Sequence, residues 1–200
     1  MPVYDYDYTD KIIAYLDKQL IDRYAKLKGL VSFDELNVMQ SVSVLYQELS
    51  ILVRKMFLQL AEHTYNAAVK RKSFGSIDEE WVDRLLNAYD PTSKYIFTHE
   101  EDRKRARLVE ALIASTTKTK EIDAAMRSMS LMWRAYAIKV TDEAVLQAYE
   151  DEEEDNVRWI AEDDEKTCSV CLSRHGKVYA ISKLPPKPHI NCRCRFERIK

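Results

Sequence analysis

The chain has 200 residues and a net charge of −2 at neutral pH, with 46% hydrophobic and 32% charged residues. That balance excludes a disordered chain and leaves ample material for a buried core, and the length suits one domain with an appendage. With only three glycines, Gly29, Gly75 and Gly176, hairpins and phosphate-cradling loops are disfavoured and helices are expected.

In chain order, the first segment, "MPVYDYDYTD", lacks the basic and apolar regions of a signal peptide, and the longest uncharged stretch, residues 36–47, is too short to cross a bilayer. A protein kept in a cytosol, without a membrane partner, is the expectation. Over residues 11–28, Ile12, Ile13, Leu16, Leu20, Ile21, Tyr24 and Leu27 recur at helical spacing and Gly29 offers a stop. Ser32 and Glu35 form a capping box that opens the longest periodic run, extending to about Lys72. Along it Val38, Val42, Leu45, Leu49, Leu52 and Met56 make one apolar stripe, and Met39, Tyr46, Val53 and Leu60 a second. One long helix buried by several partners follows, suited to a bundle or to self-association. His63, within this run, has no partner by spacing and reads as a packed or surface residue.

Further capping boxes, Ser76 to Glu79 and Thr98 to Glu101, predict two shorter helices separated by Pro91. The acids beside His99 read as first-turn residues meeting the helix dipole, and "RKRAR" at 103–107 as a solvated face balanced by nearby acids. Two more helices are expected, over 120–140 and, capped by Thr141, over 142–149, with no strand signal before residue 155.

Charge then separates. Residues 142–165 hold twelve acids against Arg158 alone, and residues 166–200 hold nine Lys and Arg against Glu197. The self-repelling run 150–155 marks an acidic linker between a helical domain, 1–150, and a different module, 156–200. The fold class is therefore mainly α: an elongated helical bundle with one long helix, plus a small C-terminal α+β module stapled by zinc.

The zinc expectation comes from the cysteines. All four lie in this module, as C-x2-C (Cys168, Cys171), then after seventeen residues His189, followed by Cys192 and Cys194. In a reducing compartment clustered cysteines are metal ligands more often than disulfides, and a C-x2-C turn with a second pair from a distant loop completes a tetrahedral Zn2+ site. Five candidates compete for four places, spacing leaves Cys192 against Cys194 open, and His175 is an outside candidate. With no evident open position the zinc is structural, one per chain, replacing the core that so short a module cannot build. No G-x-S-x-G elbow, H-E-x-x-H helix or P-loop occurs, so an enzyme is not expected.

The order Trp159, Asp164, Thr167, Cys168, Cys171, Gly176, Tyr179, Pro188, His189 and "CRC" at 192–194 resembles the C-terminal motif of the Mu F-like phage head morphogenesis proteins. The likeness covers about residues 134–195, and departs at "RHG", 174–176, where that family usually carries an aspartate before the glycine. The resemblance implies a minor head protein of the virion, in the capsid interior near the portal, touching portal and capsid or scaffold proteins and affecting DNA packaging or ejection. Asp164 and Thr167 are the motif's polar non-ligands, read as supports for the metal loop. The basic tail, Arg193, Arg195 and Arg198 above all, is a candidate contact for packaged DNA or portal, or else docks on the acidic block before it. A DNA-binding zinc module is thus the alternative reading, and a metal-dependent hydrolase remnant a weaker one.

Overall fold

The computed structural model describes residues 3–30, 35–70, 77–114, 118–162, 164–190 and 192–199. The protein is mainly helical. In order come α1 (Tyr6–Leu30), α2 (Glu35–Ala68), α3 (Glu79–Asn87), the strands β1 (Tyr89–Asp90) and β2 (Tyr95–Ile96), α4 (Phe97–Ala114) and α5 (Lys118–Glu150). The C-terminal part adds β3 (Asn156–Ile160), α6 (Ser169–Arg174), β4 (Val178–Ala180), a 3-10 turn at Ile181–Lys183 and β5 (Arg195–Arg198). Among the described residues no helix is long and apolar enough to cross a membrane.

The helices α1, α2 and α5 pack on one another, with α4 against α2 and α5, and α3 against α2. Their shared core holds Leu16, Leu20 and Tyr24 of α1, Val42, Leu49, Val53 and Phe57 of α2, and Met129, Trp133 and Val140 of α5. Those of α1 and α2, Phe57 apart, belong to the stripes the periodicity marked. Two of their members face outward instead, Ile21 and Met39, because each apolar stripe is wider than the strip of helix its neighbours cover.

Several boundaries differ from expectation. The helix α1 starts at Tyr6, because Asp5 accepts a hydrogen bond from the Tyr8 amide at 2.9 Å and caps the N-terminus. His63 supports this cap, with Nε2 3.1 Å from Asp5 Oδ2 and its ring stacked on Tyr8. At its other end α1 runs one residue past Gly29, to Leu30. The helix α2 ends at Ala68 rather than Lys72, and the Lys70 amide turns to the Glu152 carboxylate at 2.6 Å. The Ser32 and Ser76 ends of two capping boxes lie outside the described residues; α3 takes Asp78 as its cap, accepting from the Trp81 amide. The third box does not form. The helix α4 opens at Phe97, the Thr98 hydroxyl bonds Asn87, and Glu101 turns inward to Ser50 and Arg54 of α2. Burial raises the Glu101 carboxyl to about 7 despite Arg54.

Two helices expected around Thr141 are one. With 33 residues α5 nearly matches the 34 of α2, about 50 Å each, so the bundle has more than one long helix. Thr141 passes through the helix interior by donating its hydroxyl to the Ala137 carbonyl at 3.0 Å, which occupies the hydroxyl that would otherwise cap a new start. A strand pair also precedes residue 155. Asp90 accepts from the Thr92 and Ser93 amides, Lys94 adopts φ 64°, and β1 pairs antiparallel with β2.

The acidic run packs rather than repels. The Glu154 amide reaches the Tyr149 carbonyl and the Glu153 amide that of Glu150, with Glu153 at φ 62°, a Schellman stop to α5. Its carboxylates are met by partners: Asp151 by the Tyr65 hydroxyl at 2.6 Å, Glu152 and Glu154 by Arg198. Beyond this turn β4, β3 and β5 form an antiparallel sheet in that order, with β3 central. Val157, Trp159 and Phe196 on its inner face join the helical core.

Candidate metal centre

Short elements deliver the thiols. The strand β3 leads into residues 161–167, α6 follows, and Cys168 sits at its N-cap with Sγ accepting from the Cys171 amide at 3.4 Å. That places Cys168 and Cys171 on one turn. The other half arrives on the extended segment through Pro185, Pro186 and Pro188, which returns the chain to His189, Cys192 and Cys194 just before β5. Gly176, at φ 76° with open space around it, makes the turn between α6 and β4. The departure at "RHG" therefore leaves the turn intact.

All five predicted ligands converge. Cys168, Cys171 and His189 lie mutually within 4.8 Å, as do Cys171, Cys192 and Cys194, so Cys171 belongs to both groups. The Sγ atoms of Cys171 and Cys192 are 3.4 Å apart, and Cys171 Sγ is 3.9 Å from His189 Nε2. All four cysteines are free. Tetrahedral ligands at about 2.3 Å from a common ion stand about 3.8 Å apart, whereas a disulfide needs about 2.05 Å, so the spacing could hold a metal ion. A cavity of about 40 Å³ is lined by all five residues. His175 is not among them: its Nδ1 accepts from the Ala161 amide at 3.2 Å.

Electrostatics fit the same purpose. Burial pushes the Cys171 thiol up to about 12, and hydrogen bonding to Cys192 holds Cys194 protonated. Cys192, which accepts from Cys194, falls to about 5, and the Cys171 amide lowers Cys168. Packed thiols cannot all ionise together without a cation. The indole N–H of Trp159 is buried without a hydrogen-bond partner among the described residues. Soft thiolates with an imidazole suit a metal ion such as zinc.

The predicted supporting residues brace the two halves. The carboxylate of Asp164 takes both Arg193 guanidinium nitrogens at 2.6 Å and the Lys166 amide at 3.0 Å. Arg193, which lies between Cys192 and Cys194, keeps that carboxyl well below its usual range. The Thr167 hydroxyl donates to the Glu162 carbonyl at 2.6 Å. The first cysteine loop is thus tied to the second through Asp164 and Arg193. The remaining basic candidates are also engaged: Arg195 with Glu162 and Glu197, and Arg198, almost buried over the Tyr149 ring, with Glu152 and Glu154. The basic tail docks on the acidic block.

Sequence reasoning missed the groups that fasten this module to the helices. Lys187 Nζ is 2.6 Å from Asp142 Oδ2 on α5 and donates to the Cys192 carbonyl at 3.2 Å, both side chains nearly buried. Burial raises Asp142 to about 6, against the lowering effect of Lys187. The Tyr4 hydroxyl donates to Asp142 and accepts from the Phe196 amide, while Tyr149 donates to the Phe196 carbonyl. Asp142 and Lys187 were visible only as members of charge blocks. The one available signal was Asp142 among the small and apolar residues of α5.

A family model described as phage Mu protein F like protein matches residues 98–197. No curated protein and no solved structure matches the chain. The match reaches back from the cysteine module through α5 into α4, well before residue 134. The chain belongs to the phage Mu protein F like family and is a virion-associated phage head morphogenesis protein.

Proposed function

We propose that this protein is a structural adaptor of the phage head, acting at the portal in the capsid interior, with one structural Zn2+ fixing the C-terminal module. Portal and capsid or scaffold proteins are its partners, and its assembly role affects DNA packaging or ejection. No turnover is part of this reading. The observation that carries it is the fastening of the cysteine module to α5 and to the N-terminal tyrosines through Lys187, Asp142, Tyr4 and Phe196. A metal held this way sets the shape of a joint surface rather than opening a reaction site.

The ion pairs of Arg193, Arg195 and Arg198 with Glu152, Glu154, Glu162 and Asp164 favour the adaptor over the DNA-binding reading. Cations already neutralised within the chain release few counterions from a duplex. Co-expression with the portal protein of the same phage tests this. The full chain is expected to co-purify with portal, to carry one zinc by native mass spectrometry, and to lose portal binding when Cys171→Ser removes the shared ligand. Portal-independent, salt-sensitive retention of random duplex DNA, abolished by neutralising Arg193 and Arg195, would replace the adaptor with the DNA-binding module.

A further inference from the structure

The two edges of the C-terminal sheet are treated differently. Along β5 the pair Trp159–Phe196 directs the Phe196 backbone groups away from β3, since antiparallel pairs alternate between inward and outward bonding. Both outward groups are closed, the N–H by the Tyr4 hydroxyl at 3.1 Å and the C=O by the Tyr149 hydroxyl at 3.4 Å. Along β4 the Trp159 amide donates to the Lys177 carbonyl and the Ile181 amide to that of Asp155. The alternation therefore turns the backbone groups of Val178 and Ala180 away from the sheet. Among the described residues nothing meets the Val178 groups or the Ala180 N–H, whereas the Ala180 carbonyl, at the N-cap of the 3-10 turn, serves that turn; Val178 is 49% exposed.

Charge divides in the same way. The arginines around β5 are paired with acids. Lys177 and Lys183, which flank β4, form no ion pair among the described residues, and neither does Arg158, which lies between Val178 on β4 and Glu197 on β5, the Glu197 carboxylate being taken by Arg195. Asp155 stands only at the far end of the edge, opposite Ile181.

We propose that the β4 edge accepts an extended acidic segment of a partner protein as a fourth strand. The Val178 N–H and C=O and the Ala180 N–H supply the ladder, and Arg158, Lys177 and Lys183 select carboxylates, favouring acids toward the Gly176 end, away from Asp155. A second copy pairing β4 with β4 would bring these cations against one another. Nucleic acid would use the cations and leave the carbonyls without donors. This rests on the adaptor reading only for which head protein supplies the strand; the edge itself is testable without any head protein.

The test is fluorescence anisotropy of the full chain with a short labelled peptide of alternating glutamate and valine, its lysine and valine counterpart, and a random DNA duplex. The glutamate peptide is expected to bind in preference to both others. Val178→Pro removes an outward N–H without touching the ladder to β3, and is expected to weaken binding roughly ten-fold, the equivalent of one hydrogen bond. Far-ultraviolet circular dichroism and metal content report its fold. Should that variant not fold, Arg158→Glu with Lys183→Glu must shift preference to the lysine peptide. Unchanged binding by folded Val178→Pro, unchanged preference in the charge variant, or tighter binding of the duplex overturns the proposal. Loss of portal binding with peptide binding intact would overturn the adaptor reading alone.

Discussion

The helical bundle and the C-terminal sheet module solve the same problem with different materials. In the bundle, Leu16, Leu49, Phe57 and Trp133 are buried among many equivalent neighbours, and the loss of any one is shared. The module has a thin apolar layer, Val157, Trp159 and Phe196, and relies on five convergent side chains that could hold a metal and on ion pairs between its loops. Stability in the first scales with area, and in the second with a few polar groups that must all be present.

Removing the metal is the largest way to break this comparison. Structural zinc contributes roughly 10 to 16 kcal/mol in small metal-folded domains. Chelation of the loaded chain is therefore expected to abolish amide-exchange protection in β3, β4 and β5 while α1, α2 and α5 stay protected. Equal loss in the helices would mean that the two regions fold as one. The seam comes next. Lys187→Met leaves the buried Asp142 without its cation, at a cost of about 3 kcal/mol, and Lys187→Met with Asp142→Leu should recover most of it in urea melts.

Within the bundle the sharpest probe is pH. Glu101 has its folded pKa raised to about 7 from an ordinary carboxylate value near 4.5. Its protonated form is the one the fold favours, so the stabilisation is complete below about pH 4.5 and is lost as pH rises to about 7. Glu101→Gln is expected to flatten that decline, on the order of 2 kcal/mol, in urea midpoints measured across the window. The smallest effect belongs to the turn between the regions. Glu153, exposed at φ 62°, should gain about 0.5 to 1 kcal/mol on Glu153→Gly, read as a raised melting temperature.

Much of the bundle was legible because local rules governed it. Leu16, Leu20, Val42 and Leu49 recur at helical spacing, and each lies in the core. The cysteines were legible for a different reason, since metal geometry constrains spacing in the chain and Cys168, Cys171, His189, Cys192 and Cys194 do meet. What escaped depends on contacts between distant residues. Thr141 carries a capping side chain but sits mid-helix because its hydroxyl bonds Ala137. Glu101 looks like a first-turn acid but faces Arg54, on another helix. The acidic run looks like a linker until Arg198, Tyr65 and Lys70 are brought to it by the fold. Nor did the scarcity of glycine prevent a hairpin, since Asp90 and Lys94 supply the turn instead.

The hydrogen bond from the Phe196 amide to the Tyr4 hydroxyl joins residues 192 positions apart, and this sets a timetable for synthesis. At about 5 to 20 residues per second, Tyr4 is joined to the chain roughly 10 to 40 seconds before its partner is made. Until then the carboxyl of Asp142 and the inner flank of α5 stand open to solvent and to chaperones. The helices can assemble early, but their last seam closes only when the strand carrying Phe196 emerges, so a stalled chain would display a nearly complete bundle with one unsealed side.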